Sequence, residues 1–401
     1  MKSGCKRVLG IVLALALIIG TAPIVATAAA APDVTARSAV AMDFETGEFL
    51  FERDPDTLRA PASMTKVMTA YIIYEEIAEG NLTLETMIPV SRNAASVSRS
   101  FDWGGRYINA GQQHSVETML RLIMLPSHNG ASVAMAEYIS GTEAEFVRRM
   151  NDTAYRLGMT ARFDNSHGAT DNLMTARAMA ILLQSFIREF PDILRITSMR
   201  SFTFAGGTAP NTNLLLRSGG AFFTPSADGF KTGTTAAAGH CLSATAYRDG
   251  RRIITVVMNA SGDSGRYGDT IRLFDFGFAE AARIAAERSI RIVLDGEPLE
   301  LDIDPIMIGD HIMVPVRPVF EAMGATVEWD GVRTITVTTA DYDIITIRLR
   351  SSAAFVNDTS FDICVSARIV NGRTFVPLRV IYESTGRTAE WNERTRTVYL
   401  S

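Results

Sequence analysis

Residues 61–69 read PASMTKVMT, and this stretch carries the most information about the fold. Ser63 and Lys66 lie three positions apart at the start of a helix-like run that extends to about Glu79. A spacing of three places two side chains on one helical face, so the pattern predicts the Lys66 amine beside the Ser63 hydroxyl. The free N–H groups of that first turn can stabilise negative charge near the serine. Taken alone, such a pair is more often a capped helix with a surface lysine, so the rest of the chain must decide.

Lysine is rare in this protein. The chain contains 35 arginines but only four lysines, which are Lys2, Lys6, Lys66 and Lys231. Arginine serves wherever an exposed cation is enough, whereas lysine is suited to releasing a proton or fitting as a compact charge. A serine hydroxyl becomes a good nucleophile only when a base takes its proton. For Lys66 to be that base near pH 7, its pKa must fall by roughly 3 through burial and a neighbouring cation, and Lys231 is the available lysine.

Two further motifs accompany the serine–lysine pair. Ser127-His128-Asn129 follows a proline in a turn between helical patterns at residues 115–124 and 130–139. The segment KTG at 231–233 leads into apolar strands at 239–247 and 252–259. Ser-x-x-Lys, a Ser-x-Asn-type motif and Lys-Thr-Gly together form the signature of penicillin-binding proteins and class A β-lactamases. Each motif is weak alone, but all three occur in order and in helix, loop and strand settings.

Residues 33–289 resemble the low-molecular-mass penicillin-binding D-alanyl-D-alanine carboxypeptidases. The resemblance extends to the segments FDNSHG (163–168), NTNLL (211–215) and DGFKTG (228–233). The chain departs from the family pattern at His128, at Ser166, where proline is usual, and at Ala178, where aspartate is common. None of these departures removes a group that performs the chemistry, so they bear on substrate detail more than on activity.

The order of elements indicates an α/β fold. A hairpin at residues 38–51 turns near Glu45-Thr46-Gly47, helical patterns follow, and two strands and a helix at about 269–287 close the region. Strands from both chain ends with helices between them predict one sheet with a largely helical insertion. The resemblance implies a β-lactamase/penicillin-binding transpeptidase-like sheet with a helical subdomain, followed by a β-rich two-repeat C-terminal domain.

The resemblance also implies the roles of the catalytic residues. Ser63 attacks the carbonyl between the two terminal D-alanines, and Lys66 accepts its proton. Ser127 relays a proton toward the departing D-alanine, while Asn129 orients Lys66 and the peptide. Water then hydrolyses the acyl-enzyme, and neither a cofactor nor a metal is needed.

The same resemblance implies that the third motif binds the substrate. The substrate carboxylate is held by the segment comprising Lys231, Thr232, Gly233 and Thr234. The backbone N–H groups of Ser63 and Thr234 form the oxyanion hole, each donor contributing roughly 3 kcal/mol of transition-state stabilisation. The implied partners are peptidoglycan stem peptides ending in D-Ala-D-Ala, and β-lactams are the implied covalent inhibitors.

An internal repeat fills the chain after residue 288. VPVR at 314–317 is matched by VPLR at 376–379, and EWD at 328–330 by EWN at 390–392, both at an offset of 62 residues. This region, 289–401, resembles the module named after the N-terminal domain of copper amine oxidases. It holds one histidine, His311, and one cysteine, Cys364, so we expect no copper site. Trp329 and Trp391 are expected in the core, with a sugar- or peptide-binding platform that contacts the cell wall as the alternative.

The N-terminus predicts a signal peptide at residues 1–28. Lys2, Lys6 and Arg7 precede the apolar run 8–19, and ATA at 26–28 fits a cleavage site. We therefore expect an exported protein, extracellular or associated with the cell wall, with an uncleaved membrane anchor as the alternative. Cleavage lowers the formal net charge from −5 to −8, which argues against nucleic acid as a partner.

The remaining chemistry-bearing residues indicate no other class of site. The histidines at 114, 128, 167, 240 and 311 show no zinc-like spacing, and His167 is expected to be a structural residue near the site. Cys241 and Cys364 are far apart in sequence, so we expect no disulfide.

Other functions compatible with the motifs remain open at this point. A D,D-endopeptidase of peptidoglycan crosslinks has the same motifs, because they read only the local D-Ala-D-X carboxylate. A class A β-lactamase is disfavoured because no segment between Ser127 and Lys231 resembles the deacylating glutamate loop. A non-catalytic penicillin-sensing or wall-binding protein has no need of an intact nucleophile–base pair.

Overall fold

The computed structural model of the protein describes residues 30–100 and 106–401. The signal-peptide prediction lies outside these residues. In the described part, the helices are α1 (Lys66–Ala78), α2 (Arg92–Arg99), α3 (Val116–Met124), α4 (Asn129–Ser140), α5 (Glu143–Arg156), α6 (Ala176–Glu189), α7 (Ile193–Thr197), α8 (Gly262–Arg288), α9 (Val316–Ala322) and α10 (Leu378–Thr385), with 3₁₀ helices at Ala62–Thr65 and Leu214–Leu216. None of these helices combines the length and the apolar character needed to cross a membrane.

The strands of the region before residue 288 are β1 (Ser38–Asp43), β2 (Phe49–Arg53), β3 (Met87–Pro89), β4 (Gln113–Ser115), β5 (Ala161–Arg162), β6 (Leu173–Met174), β7 (Ser201–Phe204), β8 (Gly207–Pro210), β9 (Ala227–Thr235), β10 (Gly239–Arg248) and β11 (Arg251–Ala260). After that residue come β12 (Arg291–Leu294), β13 (Glu297–Pro298), β14 (Ile306–Ile308), β15 (His311–Pro315), β16 (Thr326–Trp329), β17 (Thr334–Thr338), β18 (Ile344–Arg348), β19 (Ala353–Val356), β20 (Thr359–Asp362), β21 (Arg368–Val370), β22 (Arg373–Pro377), β23 (Ala389–Asn392) and β24 (Thr397–Leu400).

One five-stranded antiparallel sheet organises the first region, in the order β2-β1-β11-β10-β9. Successive residues of β11 enter different cores: Ile253 packs with Phe274 of α8, whereas Ile254 packs with Leu183 of α6. The sheet is therefore covered on both faces, which is why its central strands are almost wholly apolar. The predicted hairpin and the sheet built from both chain ends are confirmed. Strand β9 forms one edge of this sheet.

Helices α1 to α7 lie between β2 and β9 in the chain and form the predicted helical insertion. Every residue of α1 from Lys66 to Tyr74 is buried, so this helix is surrounded by the others and is not a surface helix. Side chains cap the neighbouring helices where the sequence changes from loop to helix. Ser115 caps α3, Thr142 caps α5 and Thr175 caps α6.

Helix α8 is longer than the sequence predicts. The prediction placed its start near Asp269. The helix begins instead at Gly262, although the glycines at 262, 265 and 268 disfavour a helix. Packing explains the glycine at 265, since a Cβ there would lie 2.8 Å from Thr35 Oγ1. Tertiary contact with the N-terminal segment thus outweighs the weak local propensity.

The two C-terminal repeats meet through equivalent strands. Strand β15 pairs antiparallel with β22, and Val314 lies opposite Val376, the residue 62 positions further along. Because equivalent residues face each other, the repeats are related locally by a two-fold axis through this pair. Each repeat also contains a hairpin, as β16 pairs with β17 and β23 with β24. A separate apolar core, which includes Val314, Phe320 and Ile381, fills this region.

The core assignment of the two tryptophans was wrong. Trp329 is 38% exposed and Trp391 is 37% exposed. Each lies opposite a core residue, Ile335 or Val398, but close to the hairpin turn at the end of its strand, where the indole is only partly covered. Cys241 and Cys364 are free thiols, the first buried and the second exposed. Helix α8 ends at Arg288, the residue where the sequence predicts the domain boundary. The division into domains 33–288 and 289–401 stays a prediction.

Candidate active site

Ser63 and Lys66 meet as their spacing predicts. Ser63 lies in the 3₁₀ turn Ala62–Thr65 and Lys66 begins α1, so the serine precedes the α-helix by one turn and does not open it. Lys66 Nζ lies 3.0 Å from Ser63 Oγ. Ala62 has a φ of 49°, in the left-handed region that residues other than glycine rarely adopt. Strain of this kind is often found beside functional groups.

The amine of Lys66 has two further partners. Lys66 Nζ lies 2.7 Å from Asn129 Oδ1 and 2.6 Å from the backbone oxygen of His167. Both oxygens only accept hydrogen bonds, so a neutral amine can use its two N–H groups on them and keep its lone pair for the Ser63 hydroxyl. Burial, reinforced by the charge of Lys231, holds the pKa of Lys66 well below its usual value. This arrangement favours Lys66 as a general base.

The turn after α3 contributes Ser127 and Asn129. Ser127 has a φ of 72°, and its buried hydroxyl has no hydrogen-bond partner within the described part of the chain. A buried polar group without a partner is costly unless a ligand supplies one. His128 between them turns away, since its Nδ1 accepts from Ala131 N at 3.1 Å and its Nε2 lies 3.2 Å from Ser98 Oγ. Burial, together with the charge of Lys66, lowers the pKa of His128 to about 4, so the ring is neutral.

The third motif lies on the edge strand β9. Lys231 is fully buried, and its Nζ donates to the backbone oxygen of Thr232 at 3.2 Å. Burial and the nearby charge of Arg266 lower the pKa of Lys231 to about 7. Thr232 Oγ1 lies 2.6 Å from Thr212 Oγ1, which fixes the threonine beside the lysine. Thr234 is exposed at the end of the motif.

Gly233 allows β9 to approach the nucleophile segment closely. A Cβ at this position would lie 2.5 Å from the backbone oxygen of Pro61 and 3.2 Å from Ala62 Cβ. Gly168 has the same role on the other side of the turn, because its φ is 83° and a Cβ would lie 1.9 Å from the backbone oxygen of Ala62. Gly168 and Gly233 therefore allow the backbone to pack closely on both sides of the turn that carries Ser63.

The loop 163–168 is held by polar contacts that explain one departure from the family pattern. The Ser166 backbone N–H donates to Glu143 Oε1 at 2.9 Å, and its hydroxyl donates to the same oxygen at 2.7 Å. A proline has no N–H to donate, so the serine provides a different anchor for the loop. Asn172 ties the loop to the nucleophile turn by donating to Thr65 Oγ1 at 2.9 Å. The loop thereby places the His167 carbonyl on Lys66, a role the sequence did not reveal.

Arg266 is the main functional candidate that sequence reasoning missed. Its Nη1 donates to Thr234 Oγ1 at 3.0 Å, and its Nη2 forms an ion pair with Asp263 Oδ1 at 2.7 Å. Arg266 is nearly buried, and it lies within the first turns of α8 that the sequence prediction omitted. Had the sequence analysis placed the start of α8 at Gly262, Arg266 would have been assigned to the helix that packs behind the third motif.

The site thus contains two serine hydroxyls, two buried amines, the Asn129 amide and the hydroxyls of Thr232 and Thr234. In the described residues, no group of three or more His, Cys, Asp or Glu side chains is arranged to hold a metal ion. His167 lies beside the site, and burial followed by the charge of Lys66 lowers its pKa to about 3. Such a ring stays neutral near pH 7, consistent with the structural role expected for it.

Two family models match the chain. The D-alanyl-D-alanine carboxypeptidase family matches residues 25–262, and the copper amine oxidase N-terminal domain matches residues 293–400. The chain is 34% identical over 253 residues to the D-alanyl-D-alanine carboxypeptidase DacC of Escherichia coli, covering 62% of this chain and 62% of that protein. It is 35% identical over 257 residues to the carboxypeptidase DacF of Bacillus subtilis, covering 61% of this chain and 62% of that protein. The chain thus spans less than two thirds of the length of these curated relatives.

Solved structures show the same fold. Penicillin-binding protein 6B of Escherichia coli superposes with a TM-score of 0.59 at 28% identity, covering 81% of this chain and 98% of that one. Ampicillin-bound penicillin-binding protein D2 of Listeria monocytogenes gives a TM-score of 0.54 at 29% identity, covering 62% of this chain and 98% of that one. The predicted fold class is therefore confirmed.

Proposed function

Because the chain belongs to the D-alanyl-D-alanine carboxypeptidase family, we propose that it removes the terminal D-alanine from peptidoglycan stem peptides through an acyl-enzyme on Ser63. The observation that carries this proposal is the 3.0 Å contact between Ser63 Oγ and a fully buried amine whose pKa is strongly lowered. A lysine in that state can take the hydroxyl proton as the oxygen attacks.

In acylation, Ser63 Oγ bonds to the carbonyl carbon of the penultimate D-alanine while its proton moves to Lys66 Nζ. Collapse of the tetrahedral intermediate breaks the C–N bond, and the departing amine receives a proton through Ser127. The unpartnered hydroxyl of Ser127 supports this role, because it is free to bond to a substrate nitrogen. Asn129 keeps Lys66 in place throughout.

Binding of the substrate carboxylate is assigned to Lys231, Thr232 and Thr234, with Gly233 setting the distance between β9 and Ser63. Arg266 supports this assignment as a positioning residue, since it holds the Thr234 hydroxyl and lowers the pKa of Lys231. The N–H groups of Ser63 and Thr234 then donate to the oxyanion. Water adds to the acyl carbon with Lys66 again accepting a proton, which releases Ser63 and the shortened peptide.

The place of action and the domain organisation follow from this chemistry. Peptidoglycan lies outside the cytoplasmic membrane, so the proposed reaction requires an exported enzyme, in agreement with the signal peptide predicted at residues 1–28. Covalent inhibition by β-lactams follows from the same acylation step. We assign catalysis to residues 33–288 and contact with the wall to residues 289–401.

The proposal is tested by incubating the protein and its Ser63→Ala variant with a peptide ending in D-Ala-D-Ala and weighing the products. We expect loss of one alanine with the native chain only. Ser132→Ala is a matched control, because Ser132 is also buried without a hydrogen-bond partner in the described residues but lies outside the assigned machinery. It is expected to retain activity.

Three other outcomes would favour the alternatives. Cleavage of crosslinked dimers without release from the linear peptide would identify a D,D-endopeptidase. Rapid turnover of penicillin would identify a β-lactamase. Persistent acylation of Ser63 by penicillin with no peptide hydrolysis would indicate a penicillin-sensing protein.

A further inference from the structure

A cleft of about 620 Å³ opens between the first C-terminal repeat and strands β21 and β22, in a part of the chain that the proposed chemistry does not use. Its apolar lining includes Val327, Trp329, Ile335 and Ile369. Trp329 lies directly opposite Ile335 on the β16–β17 ladder, so both side chains are on the same face of the hairpin. Ile335 is buried and Trp329 is exposed, which makes the isoleucine the floor and the indole a wall. A concave apolar site with a few polar groups is the usual form of a ligand pocket.

The rim of the cleft carries an excess of negative charge. Arg317 pairs with Glu321 at 3.1 Å, and Arg373 pairs with Asp302 at 2.8 Å. Two further lining carboxylates, Glu300 and Glu328, form no ion pair within the described residues. Residues 289–401 as a whole contain 16 acidic and 11 basic side chains. The surplus carboxylates favour a positively charged ligand.

The second repeat shows what occupies the face of the equivalent tryptophan. The guanidinium carbon of Arg396 lies over the Trp391 ring, 5.9 Å from its centroid. The strand register places Arg333 at the equivalent position of the first repeat, because Trp329 lies opposite Ile335 and Trp391 opposite Val398. Within the described residues, no arginine or lysine lies over the Trp329 ring as Arg396 lies over Trp391, so the chain supplies its own cation to Trp391 and none to Trp329. Tryptophan is the aromatic side chain that binds cations most strongly, so the Trp329 face is suited to an external ammonium group.

Trp391 provides an internal control for Trp329. The two indoles are almost equally exposed, but of the two only Trp329 lines the cleft.

The edge of β16 favours a peptide over other cationic ligands. Strand β16 forms one edge of its sheet, and among the strands of the described residues it pairs only with β17. Asp330 N donates to Thr334 O, so the alternation of an antiparallel ladder directs the backbone N–H and C=O groups of Val327 and Trp329 to the open edge. Such an edge can pair with an extended peptide backbone.

We propose that the cleft beside Trp329 binds an extended peptide that carries a free side-chain ammonium group, with the ammonium on the indole face near Glu328 and the backbone along β16. The source is the amine-bearing stem peptide of the cell wall, an identification that rests on the proposed function. The second region then holds the enzyme on its polymeric substrate while Ser63 acts on a separate peptide end.

The test uses the full chain with Ser63→Ala, so that no peptide is consumed, and isothermal titration with the tetrapeptide L-Ala-γ-D-Glu-L-Lys-D-Ala. This probe lacks the scissile D-Ala-D-Ala bond. The same tetrapeptide with its lysine Nε acetylated differs only in lacking the ammonium group, and it is expected to bind at least tenfold more weakly. In the same background, Trp329→Ala is expected to weaken binding at least tenfold, whereas Trp391→Ala changes it less than twofold.

A second variant removes dependence on a truncated core. Glu328→Gln removes a carboxylate of the cleft that forms no ion pair within the described residues, so it is expected to weaken binding at least threefold while leaving the fold and thermal unfolding unchanged. Equal binding of the acetylated peptide, equal effects of Trp329→Ala and Trp391→Ala, or full binding by Glu328→Gln would overturn the proposal. Binding of a peptide-free disaccharide in competition with the tetrapeptide would also overturn it, in favour of a glycan site.

Failure of this inference is distinguishable from failure of the proposed function. Release of D-alanine by the chain with Ser63 intact does not depend on Trp329 when the substrate is a short soluble peptide. Absence of tetrapeptide binding together with undiminished D-alanine release would reject the cleft alone.

Discussion

The catalytic centre and the C-terminal repeats treat positive charge in opposite ways. Lys66 and Lys231 are buried, and both have lowered pKa values. None of the hydrogen-bond partners found for them in the described part of the chain is a carboxylate. Arg373 and Arg387 lie toward the surface and pair with Asp302 and Asp295. Hydrogen bonding to Asp295 raises the pKa of Arg387. The difference teaches that a cation becomes a base only where burial without a counter-charge destabilises its proton.

The largest expected effect comes from replacing the catalytic lysine Lys66 with arginine, the cation that the protein uses at its surface. Lys66→Arg keeps the positive charge but removes the base, because a guanidinium does not release its proton near pH 7. We expect D-alanine release and β-lactam acylation to fall roughly 10³- to 10⁴-fold. Rates within tenfold of the native enzyme, in a variant with native circular dichroism, would show that Lys66 is not the base.

The next effect concerns the hydroxyls of Ser127 and Ser132, which are both buried. Neither Ser127 nor Ser132 has a hydrogen-bond partner in the described residues, so replacing either by alanine removes no bond from the free enzyme. Ser127→Ala is expected to lower kcat roughly 10²-fold, because only Ser127 relays a proton to the leaving amine. Ser132→Ala is expected to keep kcat within twofold. Equal kinetics for the two variants would remove Ser127 from the mechanism.

A smaller effect follows from the charge behind the third motif. Arg266 lowers the pKa of Lys231, so Arg266→Gln is expected to raise that pKa. If protonated Lys231 holds the substrate carboxylate, kcat/KM of the native enzyme declines as pH rises through about 7, and the variant shifts this alkaline limb to higher pH. Loss of the contact to Thr234 should also lower kcat/KM about tenfold. An unshifted limb in the pH–rate profile would contradict the coupling.

Replacing Lys231 is expected to increase the stability of the fold while it lowers activity. The folded pKa of Lys231, about 7, lies below its ordinary value of 10.5, so between these values the unfolded chain binds more protons and stability rises with pH. Lys231→Met removes the buried charge and is expected to raise the free energy of unfolding by about 2 kcal/mol at pH 7 while substrate binding is lost. Urea unfolding at pH 7 and above pH 10 tests this, since the advantage should shrink at the higher pH. A variant that is less stable at pH 7 would contradict the cost assigned to the buried lysine.

The smallest effect is expected at an exposed ion pair of the C-terminal region. Arg387 and Asp295 make a two-pronged contact, but the carboxylate is open to solvent, where screening leaves ion pairs little net value. Arg387→Gln is expected to change Tm by less than about 2 °C and to leave D-alanine release unchanged. A larger fall in Tm would show that this pair holds the C-terminal sheet together.

Much of the fold was accessible from local patterns. The hairpin of β1 and β2, the strands β10 and β11, and the repeat that relates β15 to β22 all follow from alternation and from matches at one offset. The start of α8 was missed because helix propensity reports only on neighbours in sequence, while Gly265 is explained by Thr35. The exposure of Trp329 was misjudged for a similar reason, since the pattern places it on the core face with Ile335 but does not reveal how far the core extends toward the end of β16.

The sequence alone determined which groups carry the proposed chemistry and how Ser63 is placed beside Lys66, because three residues of helix fix that distance locally. Only the tertiary structure decided that Lys66 is buried, that the His167 carbonyl reaches it from 101 positions away, and that Arg266 lies behind Thr234. Periodicity encodes relations within a few residues, whereas burial and electrostatic coupling arise when distant elements pack. The same packing left Trp329 open and placed Arg396 on Trp391, a distinction that identical tryptophans in sequence do not contain.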